Sequence, residues 1–162
     1  MKTRKLTTLS MLTAIALTIF MVEAQIPPLT PVPGIKMGLP NIVIVWALYR
    51  LRFRDAAGLS ILRVLLVSLL FGSAFSLLYS LSGAVLSLAV MAGLKATKKF
   101  GCAGVSVAGA VAHNFGQILM AVLVLETGKL IYYFPVLCIS GTVAGICIGL
   151  LAALLIKRTD MR

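Results

Sequence analysis

The chain has 162 residues, of which 60% are hydrophobic and 12% charged, and its formal net charge is +11. A globule of this size has too little interior to shelter that much hydrocarbon from water, and soluble domains typically carry about twice the charged fraction. Soluble and disordered classes are thereby excluded, which leaves a polytopic membrane protein.

Lys2, Arg4 and Lys5 open the chain and precede a helix expected over about 6–24. With Val22-Glu23-Ala24 at its end, this segment has the layout of a secretory signal. Its apolar run is longer than a usual signal core and no soluble domain follows, so an uncleaved first helix is expected. Pro27, Pro28, Pro31, Pro33 and Gly34 then stop helical continuation. A short second helix follows over about 38–50, tilted or partly re-entrant, and Arg50, Arg52 and Arg54 cluster at its end. Helices over about 55–71 and 74–95 meet at a tight turn near Gly72-Ser73, and Lys95, Lys98 and Lys99 follow. The fifth helix covers about 102–125, and Glu126-Thr127-Gly128-Lys129 forms a turn. The sixth, over about 130–156, begins beside Tyr132, Tyr133 and Phe134, an aromatic belt, and ends at Lys157, Arg158 and Arg162.

The four basic groups hold most of the 15 Lys and Arg residues. One crossing needs about 20 helical residues, so each apolar interval fits two crossings and returns the chain to the same side. By the positive-inside rule that side is the cytoplasm. The expectation is an all-α bundle of six transmembrane helices, one domain over residues 1–162, with both termini cytoplasmic. The basic groups are short membrane flanks and not a continuous basic face, which excludes nucleic acid as the partner.

Small residues recur at spacing four on three helices: Gly141, Gly145 and Gly149; Gly104, Ala108, Ala112 and Gly116; and, more weakly, Ser10, Ala14 and Thr18. Such ridges let helix backbones approach closely in lipid. Ordinary packing accounts for the first two, and a partner-docking surface is an alternative for the third.

Catalytic chemistry is poorly supplied. Cys102, Cys138 and Cys147 form no CxxC pair and imply neither metal nor disulfide framework. The acids Glu23, Asp55, Glu126 and Asp160 are scattered singly, and His113 is the sole histidine. No aspartate-rich diphosphate motif, phosphate-binding loop or nucleophile elbow is present, so no catalytic residues and no cofactor are expected.

Polar residues inside the apolar runs are the stronger signal. Arg63 sits near the middle of the third helix, where burial costs at least about 2.5–3.5 kcal/mol. It should therefore face protein or a watery cavity. His113, Asn114 and Gln117 cluster on the fifth helix, with His113 and Gln117 on one face. Glu23, Lys36, Asn41 and Lys129 lie nearer the outside. Cationic and amide donors converging on a cavity would suit a small ligand with negative or carbonyl groups. The structural alternative is that Arg63 snorkels or pairs with Glu23 or Glu126 while the amides bridge helices.

Pro33-Gly34-Ile35-Lys36-Met37-Gly38-Leu39-Pro40-Asn41-Ile42-Val43 resembles the PG(V/I)K(L/M)GL-x-N-(I/V) signature of the Gx transporter family, also labelled heptaprenyl diphosphate synthase component I. The stretches from Leu62 to Leu66, Tyr79 to Ala84, Gly104 to Gln117 and Tyr133 to Leu137 match its other blocks in order, the fifth-helix block being specific. Pro40 departs from the alanine more common there and would stiffen the start of helix 2. The family is similar to the substrate-binding S components of energy-coupling factor vitamin importers, six-helix proteins of prokaryotic plasma membranes. The resemblance implies capture of a vitamin-sized solute by Glu23, Lys36, Asn41, Arg63, Tyr79, His113, Asn114 and Gln117, under a lid over residues 25–40. It also implies docking through Ser10, Ala14 and Thr18 onto a transmembrane T subunit driven by two ATPases. Two alternatives stand beside it. One is a noncatalytic membrane component of polyprenyl diphosphate synthesis, as the family's other label says; the other is autonomous proton-coupled transport through His113.

Overall fold

The computed structural model describes residues 2–26 and 37–160. Lys36 and the prolines from Pro27 to Pro33 lie outside the described residues, and with them most of the expected lid. Among the described residues the fold is all-helical: α1 (Lys2–Gln25), α2 (Asn41–Arg50), α3 (Phe53–Phe71), α4 (Ala74–Thr97), α5 (Cys102–Leu125) and α6 (Phe134–Asp160), with a 3-10 turn at Gly128–Tyr133. Among the described residues four stretches are long and apolar enough to cross a membrane: Thr3–Gln25, Ala74–Thr97, Cys102–Leu125 and Gly128–Thr159. The 19-residue α3 carries three charges, Arg54, Asp55 and Arg63, and α2 is short.

Local chemistry sets the boundaries. The second helix starts at Asn41 and not at Gly38, because Gly38 has φ +69°, a left-handed conformation that a helix cannot include. Pro40, with φ −58° and no N–H to leave unpaired, then leads into the first turn. Ser73 accepts a hydrogen bond from the Ser76 N–H and caps α4, which makes the turn after Phe71 abrupt. The expected start of the last helix near residue 130 is replaced by the 3-10 turn, and α6 proper begins at Phe134. Tyr132 in that turn is 85% exposed.

Around the bundle, α3, α4, α5, α6 and α2 pack in a closed ring, and α1 lies outside it against α3 and α2. Ile44, Val45 and Leu48 of α2 and Val105 of α5 are the largest fully buried side chains. The α5–α6 seam is closed by glycine. A Cβ at Gly145 would lie 2.6 Å from the Val107 Cα, and one at Gly149 would lie 2.5 Å from the Ala103 Cα. The expected ridge on the fifth helix does not behave as one surface. Gly116 meets Gly83 of α4, whereas Gly104 is exposed and near only Phe100. Four residues advance an α-helix by about 40° beyond a full turn, so a ridge of four such positions rotates away from any one neighbour.

One end of the bundle is tied by its basic groups. Lys5 pairs with Asp55 at 2.6 Å, joining α1 to α3. Lys95 donates to the Leu48 carbonyl at 2.6 Å, and Arg50 donates to the Ile156 carbonyl at 2.7 Å and to Thr159. Cations thus meet the terminal carbonyls of α2 and α6, where the helix dipoles favour positive charge.

Candidate functional site

A ten-residue helix is about 15 Å long, half of a hydrocarbon core. Among the described residues the bundle is accordingly not filled beyond the α2 N-terminus, and a cavity of about 420 Å³ lies there, at the end opposite the basic ties. Each helix contributes to its walls. Phe20 and Glu23 come from α1, Asn41 from the start of α2, and Arg63, Val64 and Val67 from α3. Phe75, Ser76, Tyr79 and Ser80 come from the first turns of α4. On α5 the lining residues Ala110, His113, Asn114 and Gln117 follow the i, i+3, i+4, i+7 spacing of a single face. Ser140, Gly141, Ala144 and Ile148 of α6 complete the enclosure.

The polar groups differ in how far the protein already satisfies them. Glu23 accepts from the Gly38 N–H at 2.7 Å and from the Leu39 N–H at 2.9 Å, one bond on each carboxylate oxygen. It thereby ties the α2 entrance to the end of α1, at the positive end of the α2 dipole. Asn114 donates from Nδ2 to the Leu137 carbonyl at 2.7 Å, a bridge from α5 to α6. Gly141 makes room for it, since a Cβ there would lie 2.7 Å from that nitrogen. The His113 ring rests against Gly83, where a Cβ would lie 3.0 Å from its Cε1, and it interacts with the Gly83 backbone and the Arg63 charge. Arg63 feels the charge of Glu23, yet among the described residues no carboxylate lies within ion-pair distance of it and its Nε is buried without an acceptor.

Seven of the eight residues named from the sequence as ligand contacts are thus brought to one cavity: Glu23, Asn41, Arg63, Tyr79, His113, Asn114 and Gln117. Lys36 lies outside the described residues. Asp55 and Glu126 stay away from Arg63: Asp55 pairs with Lys5, and Glu126 forms the α5 C-cap. Sequence reasoning did not single out Phe20, Phe75, Ser76 or Ser140 as lining residues. Serine and phenylalanine are ordinary in apolar helices, so nothing in their spacing marks them. Ser10, Ala14 and Thr18 all face outward on α1, and the Thr18 hydroxyl is turned back onto the Ala14 carbonyl at 3.0 Å.

The family model described as heptaprenyl diphosphate synthase component I matches residues 12–155. The chain belongs to that family. No curated protein and no solved structure matches it. The component I match spans every cavity residue described above, from Phe20 to Ile148. Among the described residues of this component I chain, no three His, Cys, Asp or Glu side chains come together as a metal site would require. Chemically, the cavity offers one guanidinium, an imidazole, amides and hydroxyls around apolar walls, the equipment for recognising a small polar molecule.

Proposed function

We propose that this chain is the membrane solute-capture subunit of an importer resembling the energy-coupling factor type. In this reading it has six crossings and cytoplasmic termini, and it depends on a transmembrane T subunit and two ATPases for energy. The observation that carries the reading is the cavity of about 420 Å³ walled by all six helices. It sits where a short α2 leaves space, and Glu23 holds the backbone across its rim. Such a chamber serves binding and release of a small solute. The sequence has no ATP-binding motif, so in this reading any ATP dependence comes from partners. The outward row of Ser10, Ala14 and Thr18 on the peripheral α1 would give the T subunit a smooth surface.

The family's description favours a second reading, a noncatalytic membrane component of a prenyl diphosphate synthase. Liposomes separate the possibilities. With the chain in place, uptake of labelled vitamins is expected only when T and ATPase subunits and ATP are also present. Uptake by the chain alone would establish autonomous transport. Absence of uptake together with tight heptaprenyl diphosphate binding would establish the synthase role.

The topology is open to a separate measurement. Cysteine labelling in intact cells should find positions 53 and 97 shielded and position 127 reactive from outside. External labelling at position 53 would refute the six-crossing arrangement.

A further inference from the structure

We propose that the cavity's solute is a small polar organic monoanion, a single carboxylate on a body that also carries an apolar ring or short chain, held by Arg63. This rests on the reading of the cavity as a capture site.

The charges in the chamber are unequally met. Glu23 is an acid whose two oxygens each accept a backbone N–H at the positive end of α2, so the protein itself satisfies it. Arg63 is the opposite case. It lies in the middle of α3 and lines the cavity, its Nε is buried with no acceptor, and among the described residues no carboxylate comes within ion-pair distance. A charge in such surroundings is expensive unless an acceptor meets it. The groups that share the cavity wall with it leave that place to a ligand. His113 and Gln117 line it from α5, Asn41 from α2 and Tyr79 from α4, and none of these side chains is an anion.

The same accounting sets the ligand's charge. Among the described residues the basic groups on the cavity wall are Arg63 and His113, and Glu23 offsets one of them. Together these described groups carry at most one net positive charge even with His113 protonated. A monoanion closes that balance, whereas a diphosphate brings more negative charge than Arg63 and His113 beside Glu23 neutralise. Phe20, Phe75 and Val67 give part of the chamber an apolar surface that suits a ring or short chain, beside the hydroxyls of Ser76, Ser80 and Ser140.

The experiment uses the full chain in lipid nanodiscs, incubated with deproteinised yeast extract and washed, with the retained solute identified by mass spectrometry. A retained solute with one carboxylate is expected. Arg63→Gln should lower its retention by about ten- to a hundredfold, the loss of a hydrogen bond to a charged group, and Arg63→Lys should restore part of it. Should Arg63→Gln fail to fold, competition on the unaltered chain decides: the uncharged methyl ester of that solute should compete at least about tenfold more weakly than the free acid. Equal competition by the ester, or retention of a neutral, cationic or diphosphate solute, overturns the charge assignment and leaves solute capture standing. If the unaltered chain retains nothing, solute capture itself falls, and this inference with it.

Discussion

Gly149→Val is expected to abolish the folded, monodisperse state of this protein. A Cβ at position 149 would lie 2.5 Å from the Ala103 Cα and 2.9 Å from the Ser106 Cβ, deep inside ordinary contact distance. The first of these is backbone of a 24-residue helix and has no rotamer by which to withdraw. The two helices would have to separate along the seam that Gly141 and Gly145 also close, exchanging close dispersion contact for lipid or voids. Overpacking in a tight core costs about 1–3 kcal/mol and occasionally more, and a clash against backbone belongs at the upper end. Gly93→Ala is the matched control, because nothing lies within 4 Å of the Cβ it would add. It should hold or slightly raise the unfolding temperature, as alanine outranks glycine in helices by about 0.8–1 kcal/mol. Size-exclusion profiles and thermal unfolding in detergent read both outcomes. A wild-type profile and unfolding temperature for Gly149→Val would mean that the α5–α6 seam is looser than described.

The contrast between Gly149 and Gly104 shows how much the sequence can disclose. Both belong to rows of small residues at spacing four, and only one sits at a helix crossing. Spacing identifies a candidate face, but the neighbour is chosen by helix rotation and crossing, which depend on every other helix. Arg63, His113, Asn114 and Gln117 are legible for a different reason. An ionisable or amide side chain inside hydrocarbon has few tolerable places to be, so its presence alone points to the interior. The serines of the cavity carry no such penalty, since a hydroxyl in an apolar helix can bond its own backbone, as Ser140 does to Leu137. Glu23 was legible as a residue of interest and not in its role. Its attachment to Gly38 and Leu39 bridges 15 and 16 positions and depends on the left-handed turn at Gly38.

That attachment makes Glu23→Ala the second large expected effect, and a local one. The substitution removes both acceptors at once, at 2.7 and 2.9 Å, and leaves two N–H groups at the cavity rim without partners. Hydrogen bonds to a charged group contribute about 1.5–3 kcal/mol each, so opening of the segment around Gly38 and Leu39 should become about 100-fold more frequent or greater. Amide hydrogen exchange at those two residues should accelerate accordingly. The global unfolding temperature should move little, because the core around Ile44, Leu48 and Val105 is untouched. Glu23→Gln is the discriminating partner to this experiment. Its amide keeps one acceptor oxygen but turns an N–H₂ donor toward the other backbone donor, so it loses one bond and should fall between the two. A solute that binds beneath this rim would then escape faster from both variants, in the same order as the exchange rates. Unchanged exchange at Gly38 and Leu39 in Glu23→Ala would show that the carboxylate does not hold the rim.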